Sequence, residues 1–177
     1  MKRAVRLALG LGALIVAAGL LWSQLITKAP PPALVTPEGQ IDLIVIEKGA
    51  RTLTALQQGK VVLQLDVALG FAPEGDKVQE GDGKTPEGRF TVDRRNPQSA
   101  FHLSLGLDYP RPQDIARAKS QGVDPGSDIF IHGQPNRVGN LVTLPGDWTA
   151  GCIAVSNAEM ETLWAMTPIG TPVQINP

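Results

Sequence analysis

Ile41-Asp42-Leu43-Ile44-Val45-Ile46-Glu47, Arg51-Thr52-Leu53-Thr54-Ala55-Leu56 and the run from Val61 to Leu69 are three strand-like stretches separated only by turns. The first is β-branched, the second alternates, and the third sets Val61, Leu63, Leu65, Val67 and Leu69 on one face. Such periodicity of two suits a pleated, half-buried surface. Lys48-Gly49 and Gln57-Gln58-Gly59-Lys60 supply the turns between the runs. Three consecutive strands on short connections predict an antiparallel meander and a mainly β fold.

Downstream, a glycine-rich loop, Gly81-Asp82-Gly83-Lys84-Thr85-Pro86-Glu87-Gly88, delivers a strand at Phe90-Thr91-Val92. Its Gly-Lys-Thr triplet is not a phosphate-binding loop. Position 78, where the leading glycine belongs, is valine, and a proline follows where a helix must begin. Phe101, Leu103 and Leu105 alternate as a further strand, with His102 on the opposite face as a surface residue. Gln113–Gln121 reads as a short helix capped by Asp114, with Ile115 and Ala118 inward and Arg117 and Lys119 outward. Strands at 128–132 and 152–155 follow. A helix over 158–166 is capped by Ser156 or Asn157, with Met160, Leu163, Trp164 and Thr167 on one face. Thr171–Ile175 reads as a closing strand.

The chain ahead of the meander is of another kind. Lys2, Arg3 and Arg6 precede an uncharged, largely apolar run from Leu7 to Ile26. As a helix its twenty residues span roughly 30 Å, the thickness of a bilayer's hydrocarbon core. Residues 1–27 are therefore expected to be a signal anchor or a signal peptide, with the rest of the chain outside the cytoplasmic membrane. Residues 28–39 hold four prolines and read as a stiff spacer. The globular domain is then 40–177, a size that suits one core. That domain carries 12 Lys+Arg against 16 Asp+Glu, a net charge of −4. With no basic stripe, nucleic acid is not an expected partner.

Against that compartment, one cysteine is unusual. Exported proteins generally hold their cysteines in disulfide pairs, yet Cys152 is the only thiol in 177 residues. It opens the apolar run Ile153-Ala154-Val155 behind Thr149-Ala150-Gly151. His132, one of two histidines, closes the run Ile129-Phe130-Ile131 and is followed by Gly133. A thiol attacks acyl carbon as thiolate and needs a base beside it. His132 is the candidate base, with a third group such as the Gly133 carbonyl to hold its other ring nitrogen. Gly151 would let a substrate carbonyl approach backbone N–H groups near Cys152. Twenty residues separate the two side chains, so adjacent strands must bring them together.

At these residues the chain resembles the L,D-transpeptidases of the YkuD type, which remodel bacterial peptidoglycan. The resemblance rests on His132, Thr149, Gly151, Cys152 and Asn157, on the loop Gly83–Phe90 and on Asp128–Gly133, and it extends over about residues 41–176. It implies a mainly β, sandwich-like domain with one or two short helices. Cys152 would be nucleophile, His132 general base and the Gly133 carbonyl its holder, with Gly151, Thr149 and Asn157 contributing to substrate binding. The family attacks the carbonyl at the L-centre of a diaminoacyl residue in a stem peptide. D-Alanine is released, and the thioester passes to an amine or to water. No metal or organic cofactor is implied, the partners are peptidoglycan stem peptides and, through the N-terminal helix, the membrane, and a monomer is expected. Two positions depart from the pattern. Ala150 stands where the family has histidine, and Ala154 where an arginine often holds a substrate carboxylate. Arg137, in the intervening loop, is a candidate replacement. Hydrolysis through the same thioester, or a non-catalytic peptidoglycan-binding module, are the alternatives these departures leave open.

Overall fold

The structure, a computed structural model, describes residues 39–138 and 141–177. The expected membrane or signal segment and all of the spacer but Gly39 lie outside them. No described helix is long and apolar enough to cross a membrane.

The meander forms as its periodicity dictates. β1 (Leu43–Glu47), β2 (Thr52–Gln57) and β3 (Lys60–Asp66) pair antiparallel in chain order. Ile44, Ile46, Leu53, Ala55, Leu63 and Leu65 all turn inward and are buried. Val61 departs from the expectation and is 59% exposed. The register of β2 against β3 shifts between Ala55 and Leu56, and such a bulge re-aims the residues beyond it.

The bend that builds the domain lies in β4 (Gly88–Ser99), a strand of 12 residues. Its first four residues pair antiparallel with β8 (Pro172–Asn176), which itself lies parallel to β1. From Val92 onward β4 pairs instead with β5 (His102–Leu107), with two register shifts on the way. β6 (Phe130–His132) adds to β5, and β7 (Ile153–Ala154) lies parallel to β6. The order is therefore β3-β2-β1-β8-β4-β5-β6-β7. The two ends of this row meet. Ala68, just past β3, exchanges both backbone hydrogen bonds with Ala154 at 2.9 and 2.8 Å, and Gly70 bridges Thr149. Instead of the two stacked sheets that a sandwich-like fold implies, one sheet curls until its edges touch. One strand shared by both halves makes this the cheaper arrangement, because neither half is left with an unpaired edge at the seam. Leu53, Leu65, Leu69, Leu105, Ile131 and Ile153 fill the interior.

Among the described residues there are two short helices, of which the second packs against β5. α1 (Pro112–Gln121) forms as expected, and of its expected inward residues Ala118 is buried and Ile115 is not. Ile115 is 49% exposed, whereas Asp114 and Ala118 are buried. The reason is ionic. The Asp114 carboxylate accepts from Arg111 N at 2.9 Å and Nε at 2.8 Å, and Arg117 turns in to pair with Asp76 and Asp114. The N-cap position is Arg111, and Asp114 sits three residues on, reaching back to the cap. α2 (Asn157–Met166) starts straight after β7 with Ser156 as its cap. Ser156 Oγ accepts from Glu159 N at 3.3 Å, and the Glu159 carboxylate accepts from Ser156 N at 2.8 Å. This reciprocal cap satisfies two otherwise orphaned N–H groups and fixes where the chain leaves β7. Met160 and Leu163 are fully buried beneath it.

Candidate active site

Parallel pairing of β6 and β7 is what gathers the site. The register sets Ile131 against Ile153 and His132 against Ala154. Ile131 and Ile153 point into the core at 0% exposure, so alternation puts His132 and Cys152 on the other face together. Cys152 lies two positions before Ala154, so its Cα stands roughly 8 Å from that of His132, from strand spacing and rise.

His132 is buried and its orientation is determined. Its Nδ1 lies 2.7 Å from the Gly133 carbonyl oxygen, which makes Nδ1 the protonated nitrogen and leaves Nε2 as acceptor. Phe101 and Trp148 flank the ring, with centroids 4.5 and 5.7 Å away, Phe101 tilted and Trp148 edge-on. Burial pushes the imidazole below its ordinary range, only partly offset by the Gly133 carbonyl. The ring is therefore neutral near pH 7, the form a general base requires.

Cys152 Sγ donates to the Asp128 carbonyl at 3.4 Å, and among the described residues no hydrogen bond joins it to His132. Burial pushes the thiol up; the Phe130 N–H and the charge of Lys77 pull it down, while the Asp128 carboxylate adds to the rise. Thiol and imidazole are thus both neutral at rest. Asp128 holds its carbonyl there from a left-handed conformation, φ +59°, that Asp tolerates better than most residues. Its carboxylate pairs with Arg94 at 2.9 Å, and Arg94 lies over the Phe130 ring at 4.5 Å.

A neutral pair has a pH signature. Alkylation of Cys152 by iodoacetamide is expected to be slow at pH 7 and to rise with a midpoint above the roughly 8.5 of free cysteine. A rate already on its plateau at pH 7 would show a standing thiolate–imidazolium pair instead. Turnover carries the opposite limb. His132 is depressed from its ordinary pKa, so the neutral base persists as pH falls past about 6.5 and is lost only when the lower, folded-state value is crossed.

The remaining sequence-derived residues sit around this pair in supporting positions. Thr149 is buried, accepting from Gly151 N at 3.1 Å and donating to the Cys152 carbonyl at 2.7 Å, so it closes the turn that presents the thiol. Gly151 has φ +142°, and a Cβ there would lie 2.7 Å from the Lys84 carbonyl oxygen. The glycine is thus required by the close passage of the Gly83–Thr85 loop, a reason distinct from substrate approach. Asn157 Oδ1 accepts from Gln134 N at 2.8 Å, and a Cβ at Gly133 would lie 2.6 Å from that same oxygen. Asn157 therefore braces the segment whose carbonyl holds His132. Arg137 is exposed and pairs with no described residue. Ala150 is exposed, and Ala154 is buried against β6 and the end of β3.

Several residues that matter here carry no signal in the sequence. Gln134 is 1% exposed and ties three segments, donating Nε2 to the Val155 carbonyl (2.7 Å) and accepting from Leu144 N (2.9 Å) in addition to its Asn157 contact. Asp147 accepts from Leu69 N at 2.9 Å and pairs with Arg51, pinning the stretch before Cys152 to the end of β3. Phe101 and Asp128 complete the set. The one hint was that Phe101 alternates with Leu103 and Leu105. The loop read as structural is so: Thr85 is fully buried and its Oγ1 accepts from Gly70 N at 3.0 Å. His102, expected at the surface, is half-buried and pairs with Glu161 at 2.9 Å. No cluster of three or more His, Cys, Asp or Glu suited to a metal ion occurs among the described residues. The cleft lined by Cys152 measures about 250 Å³. A larger one, about 530 Å³, lies on the Arg51–Asp147–Ala154 side and does not include the thiol.

The sequence profile of the L,D-transpeptidase catalytic domain, YkuD, matches residues 41–175. No curated protein matches the chain in sequence. Among solved structures, the helical cell shape determining protein Pgp2 from Campylobacter jejuni superposes with TM-score 0.59 at 26% identity, covering 78% of this chain and 48% of that one. Bd1075 from Bdellovibrio bacteriovorus gives 0.56 at 23%, covering 78% and 48%. An L,D-transpeptidase from Xylanimonas cellulosilytica DSM 15894 gives 0.50 at 21%, covering 79% and 63%. At those identities the last two speak to the fold alone. The chain spans about half the length of the first two, 48% in each case.

Proposed function

The chain belongs to the YkuD family of L,D-transpeptidase catalytic domains, and on that premise we propose that it is a thiol acyltransferase acting on peptidoglycan stem peptides. The observation that carries this reading is the imidazole held at 2.7 Å by the Gly133 carbonyl, at the end of a strand whose parallel neighbour begins directly after Cys152.

The chemistry runs through a neutral pair. The thiol swings from the Asp128 carbonyl to His132 Nε2, which takes its proton as Sγ bonds to the carbonyl carbon at the L-centre of the diaminoacyl residue. Collapse of the tetrahedral adduct breaks the C–N bond to D-alanine, and the imidazolium returns the proton to the leaving amine. The thioester is then attacked by an amine of a second stem, or by water. His132 accepts that nucleophile's proton, and the thiolate leaves and is reprotonated. Phe101 and Trp148 keep the ring dry and aligned throughout. Thr149 and Asn157 act by holding the two turns, and the reaction takes place at the cell envelope, with residues 7–26 as the anchor.

Incubating the protein with a disaccharide tetrapeptide containing diaminopimelate, and following products by mass spectrometry, tests this. Free D-alanine with a cross-linked dimer is the expected result. D-Alanine with tripeptide alone would reassign the second step to water, and an untouched substrate would leave only a binding module.

A further inference from the structure

Lys77 is a buried cation with unfinished bonding, and it lines the cleft of the nucleophile. Its residue is 3% exposed. Its ammonium donates to the Gln79 carbonyl at 3.0 Å and to Asp82 Oδ1 at 2.9 Å. An ammonium has three donors, and the third has no partner among the described residues. Asp82 cannot move to supply one. It also accepts from the N–H groups of Val78, Gln79 and Lys84. Burial would raise its carboxyl, but these partners with Lys77 outweigh it and hold it down to about 2. The same cleft is lined by Cys152, Ala150 and Ile129, and by two acidic residues, Glu80 and Asp128. Asp128 is 71% exposed and shares its charge with Arg94.

Lys77, whose charge is shared with Asp82, and the carboxylates of Glu80 and Asp128 line one cleft, and such a lining of both signs complements a zwitterion better than it does an anion or a cation. We propose that this cleft takes the free α-amino-acid end of the substrate's diaminoacyl residue, with its carboxylate received by the third N–H of Lys77 and its ammonium by Glu80 and Asp128. The assignment rests on the acyl-transfer reading for its substrate. It gives the carboxylate a holder in a chain that has alanine at 154 and leaves Arg137 solvent-exposed on its loop.

Two arms test it. In the first, wild-type protein is given stems whose free amino-acid end is intact, amidated at the carboxyl or acetylated at the amine. Each modification is expected to raise KM about tenfold or more with little change in kcat, as for loss of one charge-assisted hydrogen bond. In Lys77→Met the acid and the amide should become equal. Equal KM for acid and amide in wild type, or a preference that survives Lys77→Met, overturns the proposal. Should Lys77→Met melt early for want of a partner to Asp82, Lys77→Met/Asp82→Asn removes both charges. The second arm needs no turnover: the ratio of iodoacetate to iodoacetamide rates at Cys152 is expected to fall about threefold or more without the Lys77 charge. An unchanged ratio overturns the Lys77 site, whereas a changed ratio in a protein that turns over no stem overturns the acyl-transfer reading and leaves the anion site standing.

Discussion

Cys152→Ala is expected to lower D-alanine release from a tetrapeptide stem by at least about 10³-fold, because covalent catalysis has no substitute nucleophile here. The chain holds no second thiol. Thr149, the nearest hydroxyl in sequence, is buried and already donates to the Cys152 carbonyl. His132→Gln keeps a polar side chain on β6 but removes the base, and should cost about 10²–10⁴ in kcat. The two losses are not expected to add, since both residues serve one step. Release of D-alanine is followed by a coupled oxidase assay, with melting temperature as control. Activity of Cys152→Ala within about tenfold of wild type would transfer the chemistry to another group. The thermal control matters less for Cys152, whose side chain makes one long hydrogen bond to the Asp128 carbonyl, and more for His132, which packs against Phe101 and Trp148.

The largest effect on stability is expected at a residue with no chemistry at all. Gly70→Ala should cost about 3 kcal/mol or more in urea unfolding and abolish turnover with it. A Cβ on Gly70 would lie 2.1 Å from the Gly83 carbonyl oxygen and 3.1 Å from the Gly151 Cα. Neither is a side chain that could rotate away. Three segments cross here backbone to backbone: the end of β3, the Gly83–Thr85 loop and the turn that presents Cys152. Gly70 also forms the bridge to Thr149 that closes the curled sheet. One methyl group would therefore open the seam and move the thiol together. By contrast, Gly59→Ala meets no atom within 4 Å. With φ +74° it should show only the strain of a left-handed residue, on the order of 1 kcal/mol. Gly70 is not one of the positive-φ glycines, so its cost is crowding, and a loss no larger than that at Gly59 would show that the backbone crossing gives way to a methyl group.

What could be read in advance follows from the range of the interaction. The meander was legible because each of its strands alternates on its own and is joined to the next by a short turn. The cap of α2 was legible because Ser156 and Glu159 stand three apart. Cys152 and His132 stood out because such residues are scarce in the chain. Whatever depends on segments distant in sequence was not legible. The curl comes from β4 pairing with both β8 and β5, and no local pattern announces a strand shared by two partners. The face of α1 was read correctly at Ala118 but not at Ile115 or Arg117, because the ion pairs that turn Arg117 inward join it to Asp76, 41 residues away, as well as to Asp114. Gln134 gives no clue to its burial, since its three partners lie 10 to 23 residues away. Gly151 was read for the thiol beside it, while its left-handed backbone and the Lys84 carbonyl supply the nearer reason.

The account's central claim is that a neutral Cys152–His132 pair forms a thioester with the stem peptide. Its most direct test is the intact mass of the protein, quenched in acid within milliseconds to seconds of mixing with a tetrapeptide stem, followed by peptide mapping. The predicted result is an adduct of the stem minus D-alanine, borne on Cys152 and lost on treatment with hydroxylamine. D-Alanine release with no adduct at any quench time, or an adduct mapping away from Cys152, would contradict it.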